Sequence, residues 1–557
     1  MAKAKTNGKR GPKKQVKAGR MNKEEEKKKK VRKSKGVVED KKSKVGRKST
    51  NEKTSSIDKA KRLTLNSKIA KGKKRLKVAF VSPEALPLVK VGGLADVVGS
   101  LSVALSRLGV ESIVVLPEYR TIREGNWEIK DTGIRISSPV GPDWLEAGID
   151  LVEIGPVKYY LVRYDPFFDR EGIYGEGVDY PDNLERFSFF SKVVLELFKR
   201  IGFTPDIIHC NDWQTGLIPV FLRAFYGSDP FYSKTKIVFG LHNLAYQGLF
   251  PVEKFYLLGL DWAYFTYQGV EFYGKVNCLK AALIYSDAIV VVSPRYAQEI
   301  QTPEYGWGLD GVLRSQRDKL YGILNGIDYD YWNPWTDEFI YEKFGVRGGR
   351  VFLKGKLVNK TRLLEEESLE VDPKTMVIGL ISRLVHQKGI DIAVDGIRKA
   401  LYKGFKDKIY LIALGKGDKE YEESLLNLAK EFPNNVRVHL EFNEPLAHRI
   451  YAGVDVILIP SRFEPCGLTQ MIAMRYGSIP LVRRTGGLID TVSEEIGFLF
   501  DKPEGDELLS TIERTFHVFG DQKEWQKRVK KSMKQDFSWD RNANAYKKLY
   551  ERLKRRK

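Results

Sequence analysis

Lys90-Val91-Gly92-Gly93-Leu94-Ala95-Asp96-Val97 decides the fold, because it stands a short loop after the apolar run 78–81 and opens a helical pattern. A second stretch of the same design, Arg484-Thr485-Gly486-Gly487-Leu488, follows the apolar run 479–482. Strand, glycine turn, helix is an order that aims backbone N–H groups and a helix N-terminus at one spot, which suits a phosphate or another anion. Two such units far apart in one chain predict two Rossmann-like, doubly wound α/β halves facing a central cleft. Either loop taken alone would also serve as a plain tight turn.

Working outward, short β-rich runs alternate with amphipathic helical stretches. Strands are expected at 77–82, 112–116, 158–163, 207–210, 236–241 and 288–292, with helices such as 95–108 and 183–201 between them. That alternation predicts a parallel sheet covered on both faces. After Gly326 the pattern restarts, with strands at 377–381, 409–414, 436–440, 456–460, 479–482 and 497–500. The segment 325–374, rich in Trp, Pro and charge, reads as the connection. A last periodic helix from 538 to about 552 places Ala543, Tyr546, Leu549 and Tyr550 on one face, suited to packing back on the first half. The expected divisions are 1–75, 76–325, 326–535 and 536–557.

The 557 residues carry a formal charge of +22, and the excess is local. Residues 1–75 hold 30 Lys and Arg against 7 Asp and Glu, and the remainder has 64 basic and 65 acidic side chains. The body is therefore near neutral, which argues against a nucleic-acid-binding core. The basic segment has no Phe, Tyr or Trp and few branched apolar residues, so it is expected to be a disordered tail. It offers weak, non-specific polyanion binding through counterion release, or it is a solvated extension. It has neither the apolar core of a secretory signal nor the Arg- and Ser-rich, acid-poor composition of a transit peptide. Three scattered cysteines (Cys210, Cys278, Cys466) fit a reducing, cytoplasmic setting. No apolar run is long enough to insert in a membrane.

Candidate chemistry gathers after the expected strands. His209-Cys210-Asn211-Asp212 puts a carboxylate at a strand end, where ligands sit in open α/β sheets. Asp212 would serve equally as a helix cap. His242, after the next strand, offers a ring or a carbonyl, or is structural. Arg383 and Lys388, five apart across a turn, suit a diphosphate leaving group on which negative charge builds. In Glu464-Pro465-Cys466-Gly467-Leu468-Thr469 the turn leads into a helix start that would receive phosphate, while Glu464 would hold a hydroxyl or balance charge. Asp328-Tyr329-Asp330 is a D-x-D, a weak metal signal; with two cations and two helix starts available, no metal or cofactor is expected.

Taken in order, Lys90 through Val97, His242-Asn243-Leu244-Ala245-Tyr246-Gln247-Gly248, Leu324-Asn325-Gly326-Ile327-Asp328, Ser382-Arg383 with Gln387-Lys388-Gly389, and Pro460 through Thr469 with Arg483 through Leu488 resemble the bacterial glycogen synthase and plant starch synthase family. The resemblance runs from about residue 76 to 552. It implies a GT-B architecture, with a C-terminal helix crossing back. It also implies a hexosyltransferase that moves glucose from ADP-glucose to the non-reducing end of glycogen or another α-1,4-glucan, retaining configuration, without metal. By the same resemblance Lys90, Gly92 and Gly93 would meet the sugar nucleotide, and Arg383 and Lys388 the diphosphate. Glu464 would sit by the donor sugar and ribose, with Gly467, Leu468 and Thr469 at the phosphates. His242 and Asn325 would hold the glucose, Asp212 would organise the acceptor side, and Phe442 would stack on adenine. Val91 departs from the family, which often has Thr or Ser there. UDP-glucose as donor, and a glycogen-binding scaffold without activity, are the competing expectations.

Overall fold

β1 (Lys77–Val81) sits in the middle of a nine-stranded sheet because its Val78, Ala79, Phe80 and Val81 are apolar and buried, leaving no face for solvent. The computed structural model describes residues 75–556. The expectations for the segment 1–75 therefore lie, but for Arg75, outside the described residues, as does residue 557.

The other strands of this sheet are β2 (Glu111–Pro117), β3 (Lys130–Val140), β4 (Asp143–Ile154), β5 (Val157–Arg163), β6 (Ile207–Asn211), β7 (Lys236–Leu241), β8 (Ala288–Val291) and β9 (Leu320–Gly322). Their spatial order is β9-β8-β7-β6-β1-β2-β5-β4-β3. From β1 the chain passes to β2, jumps to the far edge at β3, comes back inward through β4 and β5, and then crosses to the other side of β1 at β6, so the winding reverses between β1 and β6.

The sheet is not wholly parallel, which corrects the sequence expectation. β3 and β4 form an antiparallel hairpin, and β4 joins β5 antiparallel. Neither strand was anticipated. Their signal is alternation rather than a continuous apolar run: Ile136, Ser138 and Val140 are buried while Arg135 and Ser137 are exposed. That is the mark of an edge with one wet face.

A second sheet holds β10 (Met376–Ile381), β11 (Ile409–Leu414), β12 (Val436–His439), β13 (Val456–Ile459), β14 (Ile479–Arg483) and β15 (Phe498–Phe500), all parallel. Its order, β12-β11-β10-β13-β14-β15, reverses between β10 and β13. The stretch between the sheets is more structured than expected. A helix at Lys354–Glu366 already belongs to the second lobe, where Lys360 Nζ lies 2.7 Å from Asp455 Oδ2.

α1 (Gly93–Arg107) forms because Leu94, Val97, Val98, Leu101 and Leu105 recur at helical spacing and bury one stripe. Over it returns α2 (Trp539–Arg555), burying Trp539, Ala543, Tyr546, Leu549, Tyr550 and Leu553. Each large apolar side chain so buried contributes about 1.5–3 kcal/mol. Polar anchors fix its register: Lys547 Nζ donates to Leu108 O (2.8 Å), Lys554 Nζ pairs with Asp206 (2.7 Å), and Tyr550 OH meets His209 Nδ1 (2.6 Å).

Candidate active site

Ligands of open α/β sheets bind beyond the C-terminal strand ends, where the winding reverses. In the first lobe the loops at that place follow β1 and β6; in the second they follow β10 and β13. Lys90, Asp212, Arg383, Lys388 and Glu464 stand in or just after these four loops, and His242 follows the neighbouring β7.

In the second lobe two of them touch. Lys388 Nζ lies 2.6 Å from Glu464 Oε2, with both side chains largely buried, and Ser461 Oγ donates to the same oxygen (2.9 Å). The loops meet closely because Gly389, at φ 64°, has no side chain: a Cβ there would collide with the Pro460 carbonyl. Gln387 Nε2 donates to Phe463 O (3.2 Å) and Arg462 N–H to Gln387 O (2.9 Å), tying loop to loop. Arg383 is exposed, and its guanidinium has no ion pair among the described residues.

In the first lobe Asp212 takes φ 55°, ψ −179°, a conformation that costs a non-glycine residue about 1–3 kcal/mol. It is held by its own carboxylate, which accepts from the His242 N–H (2.8 Å). Burial pushes this carboxyl up to about 7, and the charge of Glu84 adds to the rise, while the amides of His242 and Asn243 oppose it. The His242 ring pairs through Nε2 with Asn211 Oδ1 (3.0 Å). Asn211 spends its amide hydrogens on the Val81 and His209 carbonyls (3.1 Å each), so its oxygen accepts and His242 Nε2 carries the proton. Burial lowers the imidazole to about 3, so it is neutral at pH 7 with Nδ1 as a proton acceptor.

The glycine loops overturn part of the sequence reading. Val91 and Gly92 N–H do not stand bare: both donate to Glu84 Oε2 (2.6 and 2.9 Å), whose Oε1 accepts from Tyr174 OH (3.1 Å). In the second loop Gly486 N–H donates to both oxygens of Glu299, a first-lobe residue, at 3.1 Å, and Gly487 N–H to Glu464 O at 3.0 Å. The second pair is thus a packing joint rather than an anion cradle. Gly486, at φ 47°, is required because a Cβ would collide with Glu464 O. Two helix starts do remain without a side-chain cap: α1 at Gly93, and α3 (Thr469–Arg475), which follows Gly467 and Leu468.

These two starts lie close together. A Cβ placed on Gly93 would meet Leu468 Cδ1 at 3.7 Å. Lys90 Nζ is drawn to Asp96 (2.8 Å), and the charge of Asp96 reaches the Tyr451 hydroxyl, which hydrogen-bonds Thr469. The Tyr296 hydroxyl, raised mainly by burial, also feels Asp212, Glu299 and Glu464 together. Carboxylates of the first lobe (Asp212, Glu299) and of the second (Glu464) are therefore gathered around the buried Tyr296 hydroxyl. Asn325 is buried beside Cys466, with its Oδ1 unpartnered among the described residues. Phe442 stands 86% exposed after β12. The D-x-D is spent on structure: Asp328 Oδ1 accepts from Asp330 N–H (2.9 Å), and Asp330 pairs with Arg107 (3.0 Å).

Sequence reasoning missed Glu84, Asn211, Tyr174 and Glu299. Glu84 could have been found as a carboxylate just past a strand. Glu299 carried no local signal, since its partner belongs to the other lobe. No helix among the described residues is long and apolar enough to cross a membrane.

Comparison with known proteins covers both lobes. Residues 77–315 match a starch synthase catalytic domain, and residues 362–532 match glycosyl transferases group 1. The chain is 44% identical over 490 residues to a glycogen synthase of Koribacter versatilis, covering 86% of this chain and 98% of that one. It is 43% identical over 493 residues to a glycogen synthase of Thermotoga maritima, at 86% and 99% coverage. The solved catalytic domain of starch synthase IV from Arabidopsis thaliana, bound to ADP and acarbose, superposes with a TM-score of 0.80 at 34% identity, over 87% of this chain and 100% of that one. A sucrose-phosphate synthase from Thermosynechococcus elongatus shares the fold at a TM-score of 0.56 and 17% identity, over 86% of this chain and 99% of that one.

Proposed function

The chain belongs to the glycogen and starch synthase family, and from that premise we propose how its crevice divides the work of glucosyl transfer. It has the GT-B fold and passes glucose from ADP-glucose to the non-reducing end of an α-1,4-glucan, with retention of configuration. The observation that carries the reading is the buried Lys388–Glu464 pair of the second lobe, with Arg383 exposed after β10 and Gly93 of the first glycine loop within contact of Leu468.

Arg383 and Lys388 bind the diphosphate and stabilise the charge that grows as the anomeric bond breaks. The uncapped start at Gly467, Leu468 and Thr469 adds amide dipoles, and Gly92 and Gly93 bring the backbone close from the other side. Glu464 holds a hydroxyl of the donor and sets the position of Lys388. The neutral His242 and Asn325 hold the glucose, Asp212 orders the acceptor side, and Phe442 is free to lie against the base. Transfer runs on the front face, with a diphosphate oxygen helping to deprotonate the acceptor hydroxyl. Catalysis is then positioning plus electrostatics. The lobes 76–325 and 326–535 act as the two jaws, with 536–557 returning to the first.

The three cysteines are buried and unpaired, which suits a cytoplasmic setting. For the basic segment 1–75 we propose weak polyanion binding; equal retention of full-length and 76–557 protein on heparin would refute it. Radiolabelled ADP-glucose incubated with glycogen, followed by digestion of the product, tests the reaction. No incorporation, or label outside α-1,4 linkages, would overturn the assignment. Parallel rates with UDP-glucose decide the donor.

A further inference from the structure

A second hollow lies at the joint of the lobes. It measures about 390 Å³ and is walled by Asp96, Ser100 and Ala104 of α1, by Tyr329 and Trp332 of the connecting segment, and by Trp539 at the start of α2. That volume is within the range of small-molecule sites. Of the proposed donor-site residues Leu468 alone borders it, so it is distinct from the Lys388–Glu464 pair.

Its lining selects a chemistry. Seven carboxylates line it against one guanidinium, Arg107. Such a wall repels phosphate, and with it nucleotides and sugar phosphates. Trp539 is 5% exposed, and its indole N–H has no partner among the described residues. His448, 1% exposed, is held through Nδ1 by Asp337 (2.7 Å) and stacks on Trp332, leaving Nε2 unpartnered. An ammonium has no acceptor to offer the indole, and an apolar ligand would leave both nitrogens unpaired, at about 1–3 kcal/mol each. A hydroxyl donates and accepts, so it can serve the carboxylates, the indole and the imidazole alike. Aromatic walls add a face for a sugar ring.

We propose that this cavity binds a small uncharged polyhydroxyl ligand, a mono- or disaccharide, at a site separate from the donor crevice. The test is calorimetric titration of maltose into the full-length chain with ADP present. Two classes of site are expected. Ala104→Phe, which fills the cavity from α1, abolishes one class and spares the other. Trp539→Phe, which removes the indole N–H together with one ring of the wall, weakens that same class about tenfold or more, at least the scale of one lost hydrogen bond. ADP affinity stays unchanged in both variants. A single class of site in the unaltered chain, identical isotherms in the chain and both variants, or displacement of the Ala104→Phe-sensitive class by inorganic pyrophosphate would each overturn the proposal.

Discussion

Glu299 of the first lobe accepts the Gly486 N–H of the second with both carboxylate oxygens at 3.1 Å. One turn away, the Arg295 N–H donates to Asp490 Oδ2 at 2.8 Å. These bonds join the jaws beside the proposed donor site, since Gly487 N–H reaches the Glu464 carbonyl from the same loop. Glu299→Ala is therefore expected to shift the chain towards an opened arrangement. Small-angle scattering should show a larger radius of gyration and kinetics a higher donor KM. An unchanged scattering curve in solution would remove the latch from the account.

Lys388→Ala should lower turnover about 10²-fold or more, the scale of losing one preorganised charge contact. Because it also strands the buried Glu464 carboxylate, it should destabilise the fold. The double variant Lys388→Met with Glu464→Gln recovers stability without recovering rate. A single variant with near-normal turnover would count against the diphosphate role.

Glu464→Gln keeps shape and removes charge. Turnover should collapse while ADP affinity, read by calorimetry, stays close to that of the unaltered chain. A rate that does not change means that hydrogen bonding, not charge, is what this position supplies.

His209 and His242 both carry imidazoles lowered by burial to about 3. Below about pH 6.5 the unfolded chain protonates these rings while the folded chain does not. Stability is therefore fully present above that value and is lost as pH falls from about 6.5 towards 3, at about 1.4 kcal/mol per pH unit for each ring. His209→Gln should flatten the acid limb of a urea-unfolding series between pH 6.5 and 5 by roughly that amount. An unaltered slope would mean that the ring is not buried neutral.

Tyr550→Phe removes the hydroxyl that meets His209 Nδ1 and leaves a buried ring nitrogen unpaired. The expected cost is about 1–3 kcal/mol of unfolding free energy, measured by denaturant titration. A neutral substitution would show that α2 is anchored by apolar packing alone.

The sequence by itself determined the two sheets and the strand ends that carry chemistry. A continuous apolar run such as 78–81 leaves a strand no solvent face, and a glycine turn after it sets where the chain must bend into a helix. It also placed Arg383, Lys388 and Glu464 in one lobe, each just past a strand beside the reversal point, while the contact between Lys388 and Glu464 came from the fold. Tertiary structure alone decided what the glycine amides do. Val91 and Gly92 N–H are consumed by Glu84, and Gly486 N–H by Glu299, a carboxylate 187 positions away on the other lobe. A backbone N–H is identical in every sequence context; which acceptor it finds depends on what the fold carries to it. The wet β3–β4 edge and the acid-lined hollow at the joint stayed hidden for the same reason, because their residues become neighbours only after the chain has closed.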